Sequence, residues 1–135
     1  MAAYVLDSSV AASWCFPDEQ TSYSKAALLA INPSGAVAPR LLAYEIRNTV
    51  LIGVRRRRIT QGQAADFLRT LARLPIRLTD PASYDDVFAL AERHNLSMYD
   101  ASYLDLAVRE HMVLATLDSQ LVRSALAEGI GLFQP

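Results

Sequence analysis

Tyr4-Val5-Leu6-Asp7-Ser8-Ser9 is the stretch on which the fold turns. An unbroken apolar run of three residues reads as a short first strand buried on both faces. Asp7 ends it, and a carboxylate closing a hydrophobic strand is poorly placed to serve solubility alone. Val10 to Cys15 is apolar and halts at Pro17, so a short helix or turn follows.

Outward from there the pattern repeats. Thr21 to Ile31 reads as a helix closed by Asn32-Pro33-Ser34-Gly35, and Ala36-Val37-Ala38 as a second, very short strand. Leu41 to about Arg56 reads as a long helix with Leu42, Ile46, Val50 and Val54 on one side. Thr60 and Gln63 have capping-box spacing and open a helix that ends before Pro75; Ile76-Arg77-Leu78 is a third strand. Ser83 with Asp86 opens a helix to about His94, and Asp100 to Glu110 is another. Val113 to Leu117 is a buried strand, Asp118 or Ser119 caps a last helix closed by Gly129, and Leu132-Phe133 forms an edge strand. Strands alternating with helices this regularly predict a single three-layer α/β/α domain over residues 1–135 with a mainly parallel sheet.

The 135 residues suit one domain, and 52% hydrophobic against 20% charged excludes disorder. Cys15, the sole cysteine, cannot form an intrachain disulfide. The N-terminus lacks the basic flank and apolar stretch of a secretory signal, and the longest charge-free stretch, Ala26 to Pro39, is broken by Pro33 and Gly35. A soluble, cytoplasmic protein is expected. The net charge of −1 hides an asymmetry. Arg40 to Arg77 holds nine arginines and two acids, a net +7, while the remainder carries four basic against twelve acidic residues, −8. A basic middle beside acidic flanks suits one polyanion-facing surface and one carboxylate-rich site.

Sites in open α/β sheets form at the carboxyl ends of the strands, where Asp7 and Asp118 stand. Glu45 lies inside an apolar and basic helix, and Asp100 begins another, with a helix cap as the alternative for Asp100 and Asp118. Asp105 is about 140° around its helix from Asp100, so it reads as solvated or outer-shell. No histidine accompanies a nucleophile, Cys15 lies in an apolar context, and neither a Walker lysine loop nor G-x-G-x-x-G occurs. Carboxylates without His or Cys form the hard-oxygen set that suits Mg²⁺ or Mn²⁺, and such ions act on phosphodiesters.

The chain resembles a PIN domain of the VapC toxin type. The resemblance rests on Val5-Leu6-Asp7-Ser8-Ser9-Val10, Trp14-Cys15-Phe16-Pro17-Asp18-Glu19, Pro39 to Asn48 around Glu45, Tyr99-Asp100-Ala101-Ser102-Tyr103-Leu104, and Leu114-Ala115-Thr116-Leu117-Asp118. It implies a metal-dependent endoribonuclease, the toxin of a toxin–antitoxin pair, with Asp7, Asp100 and Asp118 at Mg²⁺ (or Mn²⁺) and Glu45 completing the shell or positioning water. Ser9 and Thr116 fall where supporting hydroxyls stand. In-line attack would leave a 5′-phosphate and a 3′-hydroxyl. The implied partners are RNA, a small antitoxin and a second copy in a homodimer.

Arg55, Arg56, Arg57 and Arg58 are expected to bind RNA backbone, with two of the four reaching the substrate, against a plain solvated helix end. Trp14 and Phe16 are expected to flank the cleft and receive the antitoxin's apolar face, against a role in the core. Two rivals remain: a non-catalytic module whose acidic pocket holds a basic peptide, and a receiver-like phospho-acceptor, which would need a lysine where Lys25, in an early helix, is the sole candidate.

Overall fold

The computed structural model describes residues 3–135, so the first two residues of the expected domain lie outside the described residues. Strand β1 (Tyr4–Leu6) is fully buried and pairs in parallel with β2 (Ala36–Pro39) on one side and β4 (Leu114–Ala115) on the other; β3 (Ile76–Thr79) pairs with β2, giving the order β3-β2-β1-β4. Every strand runs the same way, and helices flank the sheet as the alternation predicts.

Helix α1 (Ser8–Ser13) packs with α2 (Ser22–Ala30) and α3 (Leu42–Arg55), and α4 (Gln61–Arg73) folds back on α3. Helix α6 (Met98–Glu110) crosses β1, β2 and β4, with α5 (Tyr84–His94) and α7 (Ser119–Ala127) packed on it. The core runs continuously through Val5, Leu6, Val37, Ile46, Leu104, Leu114 and Leu121. Full burial of such a side chain contributes about 1.5–3 kcal/mol. Thr21 and Thr60 both form complete capping boxes, which fixes where α2 and α4 begin.

Three boundaries differ from the sequence reading. The strand expected over Val113 to Leu117 is two residues long, because Thr116 to Asp118 leave the ladder for side-chain hydrogen bonds. The expected Leu132-Phe133 strand reduces to one parallel bridge between Leu132 and Leu114. Helix α6 starts at Met98 under Ser97, whose hydroxyl accepts from the Asp100 amide, so Asp100 is not the cap.

Asp105 also differs. It is 6% exposed, not solvated. Helix α6 is buried on most of its circumference, through Ala101, Tyr103, Leu104, Leu106 and Ala107, so a carboxylate in mid-helix is carried inside. Its charge is met by Arg109 one turn on, at 3.3 Å, and Arg109 also donates to the Asp80 carbonyl.

Candidate active site

The carboxyl ends of β1 and β4 lie side by side, joined by the Asp7 amide donating to the Ala115 carbonyl at 3.0 Å. Asp7 occupies the N-cap position of α1, yet its side chain makes no capping bond. Its Oδ2 instead accepts from the Ser9 hydroxyl at 2.5 Å and the Thr116 hydroxyl at 2.8 Å. Both hydroxyls also accept: Ser9 Oγ takes the Leu117 amide at 2.9 Å, and Thr116 Oγ1 the Asp118 amide at 3.0 Å. A short bracket thus ties Asp7 to the segment that delivers Asp118. Burial pushes the Asp7 carboxyl above its ordinary range, and the two hydroxyls oppose that rise.

Asp118 is the N-cap of α7, its Oδ1 accepting from the Gln120 and Leu121 amides, so the capping alternative holds for that oxygen and leaves Oδ2 outside those bonds. Glu45 enters from the first turn of α3, where Oε1 receives the Tyr103 hydroxyl from α6 at 2.5 Å. Its carboxyl is raised by burial first, and Asp7 and Asp100 add repulsion. Asp100, in the first turn of α6, is likewise raised by burial, then by the charges of Asp7 and Asp118. Four carboxylates from four separate segments therefore share one field at the carboxyl end of the sheet.

No group of three or more His, Cys, Asp or Glu among the described residues stands at metal-holding spacing, so the carboxylates would have to turn to close a shell. The donor set fits a hard divalent ion all the same. Its ligands are all oxygen, and it is partly dehydrated and mutually repelling, a condition that a cation relieves.

Tyr103 escaped the sequence reading of the site. The signal for Tyr103 was present: it lies one turn beyond Asp100 on the same helix, and a buried tyrosine must find a partner for its hydroxyl.

Two expectations change. Phe16 is 1% exposed and packs under Gly53 of α3, so it belongs to the core and offers no docking surface. Trp14 is half-buried, and its indole N–H donates to the Ser24 carbonyl at 2.8 Å, tying α1 to α2. Among the arginines, Arg58 folds back onto Asp18, Glu19 and the Phe16 ring, and is not free for RNA. Arg57 takes the left-handed conformation (φ 58°) that turns the chain out of α3, and Arg55, Arg56 and Arg57 remain exposed.

The PIN domain family matches residues 4–126. Ribonuclease VapC3 of Pyrobaculum aerophilum is 31% identical over 121 residues, covering 87% of this chain and 90% of its own. The crystal structure of PAE2754 from Pyrobaculum aerophilum superposes with a TM-score of 0.73 at 21% identity, over 91% of this chain and 84% of the other.

Proposed function

The chain belongs to the PIN domain family, and from that membership we propose that it is a VapC-type toxin: an endoribonuclease that hydrolyses RNA phosphodiesters with Mg²⁺ or Mn²⁺. The observation that carries this reading is the set of four carboxylates whose charges reach one another at the carboxyl end of the sheet. Asp7, Asp100 and Asp118 would hold the ion, and Glu45 would complete the shell or orient the attacking water. A divalent ion in such a site supplies charge stabilisation on the phosphodiester and acidifies water. Ser9 and Thr116 keep the Asp7 carboxylate turned one way and spend their own lone pairs on the loop that carries Asp118. In-line attack would leave a 5′-phosphate and a 3′-hydroxyl.

Arg55, Arg56 and Arg57 would hold RNA backbone at a distance from the chemistry. Ten residues of helix separate Glu45 from Arg55, about 15 Å along the axis, so they would engage nucleotides remote from the cleaved bond. The antitoxin's apolar face would sit in the groove between α3 and α4, a cavity of about 220 Å³ lined by Leu42, Ile46, Leu71 and Leu74. A second copy would cover the exposed Tyr84, Phe88, Met98 and Tyr99 on α5 and α6, where large apolar side chains cluster in a way that marks contact surfaces. No helix among the described residues is long and apolar enough to cross a membrane, and a cytoplasmic toxin is part of the proposal.

The deciding experiment incubates purified protein with a panel of RNAs in Mg²⁺, Mn²⁺ or EDTA. Metal-dependent cleavage that disappears in Asp7→Asn supports the reading. Peptide binding without cleavage in any metal would favour a non-catalytic module instead.

A further inference from the structure

Tyr103 is wholly buried, and its hydroxyl crosses from α6 to Glu45 on α3, a partner 58 positions away in sequence. The other wholly buried phenol that the core holds, Tyr4, meets the same need with a backbone carbonyl, that of Ala27. Tyr103 is thus bonded to a side chain that has other conformations open to it. Glu45 stands in the first turn of α3 between exposed Tyr44 and buried Ile46, repelled by Asp7 and Asp100. Left to that repulsion, a three-torsion side chain would swing toward water, away from the other carboxylates. A rigid ring locked in the core and carrying one O–H donor opposes that swing.

We infer that Tyr103 is a positioning residue: its buried hydroxyl holds Glu45 on the side of the other carboxylates, so that this one carboxylate is in place before metal or RNA arrives. The inference rests on the ribonuclease reading, and the experiment separates the two. Wild-type protein that cleaves no RNA in Mg²⁺ or Mn²⁺ overturns that reading; the comparisons below overturn or support the role of Tyr103.

Tyr103→Phe removes the hydroxyl and keeps the ring. Its kcat should fall about 10–100-fold, the usual cost of losing a group that orients a ligand, with KM for RNA unchanged. Affinity for Mn²⁺ without RNA, read by calorimetry, should fall in the same range. Tyr4→Phe deletes a comparable buried hydroxyl bond elsewhere in the core and should leave kcat and Mn²⁺ affinity at wild-type levels. In the Mn²⁺ titration, Tyr103→Phe should cost nothing further once Glu45→Gln is in place. Equal behaviour of the two Phe variants, or additive losses in the double variant, overturns the inference. If Tyr103→Phe melts below the assay temperature, the wild-type hydroxyl proton of Tyr103 provides the readout by NMR. It should shift when Mg²⁺ is added, and a resonance that ignores the ion overturns the inference equally.

Discussion

At Asp7, burial raises the carboxyl above its ordinary range, and the sign of the linkage follows. The folded protein binds its proton more tightly than the unfolded chain does. The stability Asp7 allows is therefore fully present below the unfolded value of about 4 and is lost as pH rises through the raised folded value. Asp7→Asn should then melt higher than wild type at pH 7 in EDTA, with the gap closing as pH falls toward 4 and narrowing when Mg²⁺ is added. Cleavage by the same variant should fall at least about 100-fold, the scale of losing one group that stabilises a transition state. Thermal melts across pH, paired with a cleavage assay, check both halves. Thr116→Val tests the bracket. It keeps the shape but deletes a donor to Asp7 and an acceptor for the Asp118 amide. A loss of about 1–3 kcal/mol is expected in chemical denaturation, with reduced cleavage.

Between α3 and α4 the arginine run divides its labour, and the division is testable. Arg56→Gln with Arg57→Gln should weaken RNA binding similarly across sequences and flatten its salt dependence; an unchanged salt slope would return these residues to plain helix-end solvation. Gly53→Ala should destabilise by about 1–3 kcal/mol, because the added Cβ would stand 2.7 Å from the Phe16 ring, and a denaturation curve reads it directly. The sequence foretold much at this scale. Tyr4-Val5-Leu6 and the Thr60 capping box stand where the apolar run and N-cap chemistry placed them, since those signals are local. The four carboxylates were legible because strand ends and motif spacing marked them. What escaped was settled by distant partners. Phe16 reads the same in a groove or a core until α3 is laid over it, and Asp105 looks solvated until Arg109 and the surrounding apolar face of α6 are known. Tyr103 and Glu45 are a pair only in three dimensions.

Across the whole molecule, the exposed aromatic surface on α5 and α6 predicts self-association. Phe88→Glu should convert a dimer to monomers in sedimentation analysis while leaving the melting curve close to that of wild type, since Phe88 is 54% exposed. The bracket around Asp7 has a further consequence, in the order in which the molecule is made. Asp7 and Thr116 are 109 positions apart, and the four carboxylates are contributed from residues 7, 45, 100 and 118. The fourth carboxylate is therefore made last, 111 positions after the first. Until then the Ser9 hydroxyl has no Leu117 amide to grip, and the growing chain carries no complete site. On the proposed ribonuclease reading, chains that end short of residue 118 are inactive, and a restraining partner has that interval in which to be waiting.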